Sequence, residues 1–103
     1  MTDRIRMEDI KYRHFKGMRG ECFRFLLGER KAEGELVGIT RHLPRSAPGA
    51  MRKPFSLVFK LDEGVATQQG VHRLEHETFE PMALLMTPLR PGKDASYFEI
   101  VFG

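Results

Sequence analysis

The stretch PFSLVFKL, residues 54–61, carries the clearest structural signal in the chain. Its apolar side chains alternate with other residues, so that one face holds Phe55, Leu57, Phe59 and Leu61. This period of two is typical of a β-strand that covers a core with one face only. We therefore predict a strand here and take it as the centre of a sheet.

Further apolar runs of similar length surround this strand, and glycine, proline and acidic turns separate them. They predict strands at residues 22–27, 35–42, 71–76, 82–89 and 96–102. The length of 103 residues suits one domain, residues 1–103. The sequence therefore predicts a mainly β fold, a six-stranded antiparallel small barrel or sandwich with one short N-terminal helix.

The last two predicted strands differ in pattern. Residues 82–89, MALLMTPL, are apolar on both faces and so predict the most buried strand. Pro88 donates no hydrogen bond and is expected at the end or edge of that strand. Residues 96–102 alternate again, and their predicted inward face consists of Phe98, Ile100 and Phe102.

The second predicted strand, residues 35–42, follows a charged turn predicted at residues 28–34, GERKAEG. Its apolar residues do not share one face, because Leu36 is out of step with the apolar positions that follow it. A bulge near Gly38 would resolve this conflict.

A helical pattern precedes the strands, from about Met7 to Met18. At about 100° per residue, one side of this helix holds Met7, Ile10, Phe15 and Met18. Gly17 and Gly20 favour its end, because glycine adopts the left-handed conformation of a helix cap. We expect a short helix that packs its apolar side on the sheet and exposes a basic outer side.

Composition limits the classes of protein to which the chain can belong. Hydrophobic residues make up 41% and charged residues 30%, as in an ordinary folded domain. No apolar run reaches the roughly 20 residues of a membrane helix, and no apolar segment follows the charged start as in a signal peptide. We therefore expect a cytoplasmic protein that does not bind a membrane.

The net charge of +3 is mild but uneven along the sequence. Residues 1–60 carry 14 Lys and Arg against 7 Asp and Glu, whereas residues 61–103 carry 3 against 7. Such asymmetry can attract an acidic partner or favour contact between copies of the chain, unless folding intermixes the two halves. A protein partner and a homo-oligomer are both compatible with it.

Two histidines and one cysteine are the candidates for chemistry. His72 and His76 would lie about 13 Å apart on one strand face, so we expect no metal site and a structural role for His76. Cys22 is the single cysteine, and no spacing pairs it with a base. Phosphate-loop, HExxH and GxSxG motifs are absent from the sequence. We therefore predict no catalytic residue, no cofactor and no enzymatic activity.

The longest irregular connection, residues 43–53, is the predicted partner-binding loop. Its sequence LPRSAPGAMRK has no periodicity, and loops of this kind often carry function. The predicted contacts with a protein partner are Arg45, Met51, Arg52 and Lys53. An unpaired edge strand would add a strand of the partner through main-chain hydrogen bonds.

A nucleic-acid-binding barrel is the alternative function. Small β-barrels often bind single strands through a basic face that also carries aromatic residues. Most aromatic side chains are expected to face inward, which leaves Tyr12 and Tyr97 to stack on bases. Arg24 and Arg41 would contact phosphates, and such binding weakens steeply with salt.

Several short motifs follow one another in a specific order. They are GECF at residues 20–23, PFSLVF at 54–59, QGVHRLEH at 69–76, LLMTPL at 84–89 and FEIVF at 98–102. In this order they resemble an uncharacterised bacterial all-β family of similar length, a domain of unknown function; one departure is His72, where that family often has an aromatic residue. The resemblance implies no catalytic residues, and it implies an association with phage-tail-like proteins. We therefore expect a non-enzymatic protein-interaction or structural module, an accessory of a phage-tail-like assembly.

Overall fold

The computed structural model describes residues 4–42, 54–62, 69–89 and 95–102. A 3₁₀ turn and a short helix precede the strands. The turn spans Met7–Asp9, helix α1 Tyr12–Phe15, β1 Cys22–Leu27, β2 Arg30–Arg41, β3 Phe55–Asp62, β4 Gly70–His76, β5 Phe79–Pro88 and β6 Ala95–Phe102. The predicted mainly β fold with a short N-terminal helix is therefore confirmed.

The strands form a closed antiparallel barrel in the order β1-β2-β3-β6-β5-β4. Hairpin pairs join β1 to β2, β2 to β3, β4 to β5 and β5 to β6. The pairs β3–β6 and β1–β4 connect strands that are distant in sequence, and Phe25 of β1 lies opposite Leu74 of β4. Of the two predicted architectures, the structure shows the barrel.

Alternating side chains fill the interior of this barrel. The predicted inward face of β3 is buried along its whole length, and so is that of β6. The ring of Phe59 meets Phe23 and Phe25 edge-on, with centroids 5.1 and 5.0 Å away. All 8 phenylalanines of the sequence are buried, and Leu, Ile and Met side chains complete the core.

Strand β2 is longer than predicted. The charged turn expected at residues 28–34 is wrong, because Leu27 already pairs with Arg30 across a turn of two residues. Gly28 adopts a φ of +66° in that turn, a conformation that glycine takes without strain. The charged residues that follow are exposed along the strand, so their polarity does not interrupt it.

A bulge interrupts the pairing of β2 with β3. Leu36 lies opposite Phe59, but the next pair is Gly38 with Val58, so β2 carries one extra residue. The predicted bulge near Gly38 is confirmed. It lets the buried side chain of Leu36 share the barrel interior although the apolar positions after it are out of step.

Strand β5 is not fully buried, which corrects the prediction from MALLMTPL. It begins at Phe79, and its buried residues alternate with exposed ones. Leu85 lies on the outer face and is 52% exposed. Pro88 stands at the end of the strand, as predicted.

The N-terminal segment is not one continuous helix, which corrects a second prediction. Ile10 and Lys11 have extended backbones with ψ of 133° and 159°, and they separate the 3₁₀ turn from α1. Of the two expected left-handed glycines, Gly20 has a positive φ of 94° and Gly17 does not. The break allows Ile10 and Phe15 to enter the barrel end together, where both are fully buried.

Candidate functional site

The predicted partner contacts Arg45, Met51, Arg52 and Lys53 lie outside the described residues. The base of their loop is described on both sides. The N–H of His42 donates to the carbonyl oxygen of Pro54 at 3.0 Å, and the His42 ring Nε2 lies 3.0 Å from Ser56 Oγ. These two contacts join the end of β2 to the start of β3.

Two of the predicted nucleic-acid contacts bind each other. The guanidinium of Arg41 lies 4.7 Å from the centroid of the Tyr12 ring, which is a cation–π contact. The same ring meets Phe55 edge-on at 6.2 Å. Tyr12 therefore packs against the barrel and has one face covered by Arg41.

The other two predicted nucleic-acid contacts are far apart on the barrel. Arg24 on β1 has Glu33 and Glu75 as its cross-strand neighbours, so carboxylates flank it on both sides. Tyr97 lies on β6, next to Lys60 of β3. Two strands separate β1 from β6 in either direction around the ring. The structure does not bring the four residues together on one face, and binding through them stays a prediction.

His76 has the structural role that the sequence predicts. Its Nδ1 accepts a hydrogen bond from the N–H of Thr78 at 3.1 Å, so the ring proton resides on Nε2. That Nε2 lies 3.3 Å from Glu21 Oε1 and donates to it. The ring also packs on Phe23, with centroids 4.5 Å apart. Within the described residues, no group of three or more His, Cys, Asp or Glu side chains is arranged to hold a metal ion.

Cys22 lies in an open groove of about 480 Å³ on the outside of β1 and β4. Arg24 and His76 line this groove together with the carboxylates of Glu33, Glu75 and Glu77. The thiol is exposed, and among the described contacts no base bonds to it, since both ring nitrogens of His76 have other partners.

Three exposed apolar side chains lie on the outer faces of neighbouring strands. They are Val71 on β4, Leu85 on β5 and Val101 on β6, which are 65%, 52% and 58% exposed. Val71 and Leu85 are direct cross-strand partners. Val101 lies on β6 two residues beyond Glu99, and Glu99 pairs with Thr87 of β5. We call these three residues the outer apolar patch.

The outer apolar patch lies beside the shortest strand pairing described in the barrel. The ladder between β5 and β6 consists of Thr87 with Glu99 and Pro88 with Phe98. The ladder between β3 and β6 has eight pairs, so β6 is held mainly from its other side. Beyond these pairs the N–H of Leu89, at the end of β5, donates to the carbonyl oxygen of Tyr97 at 2.8 Å, so the main-chain contact of the two strands continues away from the patch. The sequence signal was the second apolar face of MALLMTPL, which belongs to the surface rather than to the core.

The fold and these surfaces define a small closed antiparallel β-barrel with a core rich in phenylalanine and an apolar patch on its outside. The chain belongs to the family described as "Domain of unknown function (DUF6916)", whose family model matches residues 10–102. That range begins at the buried Ile10 and ends with β6, so it contains the whole described barrel. No curated protein and no solved structure matches the chain. No described helix is long and apolar enough to cross a membrane.

Proposed function

We propose that this barrel is a non-enzymatic protein-interaction module that binds a partner protein through the outer apolar patch. The observation that carries the proposal is the position of Val71, Leu85 and Val101 on three neighbouring strands. Single exposed apolar residues are ordinary on a protein surface, whereas a contiguous group is typical of an interaction site. A partner that covers the patch would remove its apolar surface from water, which stabilises the complex.

The closed barrel changes the mechanism that the sequence predicts. Strand addition needs a row of unpaired main-chain groups, but each described strand has a neighbour on both sides. Contact through outward side chains needs no free edge. We therefore place recognition on the side chains of β4, β5 and β6, with the predicted contacts of residues 43–53 as a second element.

We further propose an accessory role in a phage-tail-like assembly, and this part of the proposal rests on the sequence resemblance. A module of this kind would form a stoichiometric complex with a structural protein of that assembly. The identity of the captured partner tests this part separately from the patch itself.

The test is a pull-down from the native host at moderate salt with three tagged proteins: the unchanged chain, Leu85→Asp and Thr40→Asp. Leu85→Asp places a charge in the patch, which opposes burial there. Thr40→Asp adds the same charge at an exposed position of β2, on another part of the wall, and serves as the matched control. Thermal melting of the three proteins checks that each is folded.

We expect a stoichiometric protein partner with the unchanged chain and with Thr40→Asp, and its loss with Leu85→Asp. Equal capture of the partner by all three proteins would show that the outer apolar patch does not bind it. Recovery of nucleic acid that washes off with salt, in place of a protein, would favour the alternative function. Sedimentation of the purified chain shows whether the partner is a second copy.

A further inference from the structure

A second groove lies between the N-terminal segment and the start of β5, away from the outer apolar patch. Its volume is about 620 Å³, within the range of small-ligand sites. Basic side chains line it: Arg4, Arg6, Lys11 and Arg13, together with the imidazole of His14. Asp9 and Glu80 contribute the carboxylates of its lining. With His14 neutral, four cations therefore face two anions.

Backbone pairing holds one wall of this basic groove in place. The N–H of Ile5 donates to the carbonyl of Thr78 at 3.0 Å, and the N–H of Glu80 donates to the carbonyl of Ile5 at 2.9 Å. Ile5 thus runs parallel to β5 as an added strand residue. In an extended chain the residues on either side of Ile5 lie on the opposite face from it. Arg4 and Arg6 therefore project together, away from the barrel core.

Helix α1 provides the other wall. His14 Nδ1 accepts a hydrogen bond from the N–H of Lys11 at 2.9 Å, so a neutral ring carries its proton on Nε2. Burial, with Arg13 and Lys11 nearby, lowers the pKa of His14, while Asp9 acts in the opposite direction. The neutral imidazole therefore presents an Nε2–H donor in a positively charged groove.

The cations of the groove are poorly neutralised by the protein. Arg6 lies 3.7 Å from Glu8, but both side chains are largely exposed, and exposed pairs of this kind contribute little. Among the described residues, Arg4 and Arg13 form no salt bridge. Two guanidinium groups and one imidazole N–H are thus available to an anion that enters the groove.

We infer that the basic groove is a binding site for a phosphate group. Guanidinium groups bind phosphate through paired N–H donors in a planar fork, and the several oxygens of a phosphate accept from two walls at once, which a single carboxylate does less well. Arg13 and Arg4 hold the phosphate oxygens from the two walls, and His14 Nε2–H donates a further hydrogen bond. The phosphate belongs either to a small phosphorylated compound or to a nucleic-acid backbone.

The test is an NMR titration of the purified full chain with pyrophosphate at low ionic strength, which follows the ring signals of His14. Parallel titrations use Arg13→Ala, Arg19→Ala and, on the unchanged chain, acetate at equal ionic strength. Arg19 is exposed and does not line the groove, so its variant removes the same charge elsewhere. The titration contains no protein partner, so its outcome is independent of the outer apolar patch.

We expect a saturable shift of the His14 signals with pyrophosphate, and none with acetate. Arg13→Ala should weaken pyrophosphate binding about tenfold, as for the loss of a charged hydrogen bond, and Arg19→Ala should leave it within a factor of about two. If pyrophosphate causes no shift, or if both variants weaken pyrophosphate binding equally, the proposed phosphate site is wrong. A titration with oligothymidylate separates the two sources: competition with pyrophosphate assigns the backbone of a nucleic acid, and its absence assigns a small phosphorylated compound.

Discussion

Gly34 lies on the inward face of β2, where the space for a side chain is already filled. A Cβ atom at this position would come within 2.6 Å of Phe25 Cε2 and 3.0 Å of Leu61 Cδ1. The ring of Phe25 cannot easily move away from such an atom, because it packs edge-on against Phe59. Gly34 thus makes room for two large core residues rather than for an unusual backbone conformation.

We predict that Gly34→Ala lowers the free energy of unfolding by about 1–3 kcal/mol, the usual cost of overpacking a core. Gly38→Ala is the matched control on the same strand, because its Cβ would meet Val58 Cβ at 3.4 Å, an ordinary contact. That variant should stay within about 0.5 kcal/mol of the unchanged protein. Urea unfolding of the three proteins measures both differences. Equal stability of the two variants would mean that residue 34 does not face the core.

Side-chain contacts of this kind were only partly predictable from the sequence. Alternation correctly assigned the inward faces of β3 and β6, because burial on one side selects apolar residues at every second position. The contact of Arg41 with Tyr12 joins the end of β2 to helix α1, and no local pattern reports it. The pattern of MALLMTPL places Leu85 in the core, because apolarity alone does not distinguish a buried face from an exposed one.

At the scale of elements, the N-terminal segment closes one end of the barrel. The ring of Phe15 lies near rings from four strands, with centroid distances of 4.8 Å to Phe79, 5.9 Å to Phe55, 6.0 Å to Phe102 and 6.3 Å to Phe23. Ile10 and Met18 are buried beside it. The segment therefore belongs to the core, although its helical content is small.

We predict that Phe15→Ala lowers the free energy of unfolding by about 3–5 kcal/mol, because it leaves a cavity among those rings. Lys16→Ala, at the next and exposed position, is the control and should change stability by less than about 0.5 kcal/mol. Denaturant unfolding followed by circular dichroism gives both values. A Phe15→Ala protein as stable as the control would show that the segment does not seal the barrel.

The elements themselves were predicted with uneven success, for physical reasons. Strand β1 was predicted with its observed bounds, since its apolar alternation begins and ends at clear turns. The helix was extended too far because Met7, Ile10, Phe15 and Met18 fit a helical period. In the barrel, Ile5 pairs with β5 before the 3₁₀ turn, and Ile10 is buried with an extended backbone between the two helical turns. These tertiary contacts outweigh the local preference for one continuous helix.

At the scale of the whole molecule, the sequence does not predict whether the sheet closes into a barrel. A barrel and a sandwich can share the same strands and differ in which strands pair. Closure here depends on the pairing of β1 with β4 and on the pairing of β5 with β6. The first pairing joins residues about fifty positions apart in sequence. No local pattern specifies such a pair. The outcome matters for the function that we propose, because a closed barrel offers a partner outward side chains and no free strand edge.

The charge asymmetry of the sequence also has a structural outcome. Arg24, from the basic half, lies between Glu33 and Glu75, so the β1 region of the wall is mixed in charge. Arg4, Arg6, Lys11 and Arg13 of the N-terminal segment instead line one groove beside β5. Folding therefore mixes some basic residues with acidic ones and brings others together in one place. The phosphate site that we infer is located in that place.

The measurement that tests barrel closure most directly is a set of interstrand nuclear Overhauser effects in the purified, uniformly labelled chain. We expect contacts between the backbones of Phe25 and Leu74 and, in the same sample, between those of Thr87 and Glu99. Both sets together establish a continuous wall and leave the outer apolar patch as the route to a partner. Absence of the Thr87–Glu99 contacts, with the first set intact, would contradict closure. The fold would then be an open sheet with two free edges, and strand addition would again be the expected mode of binding.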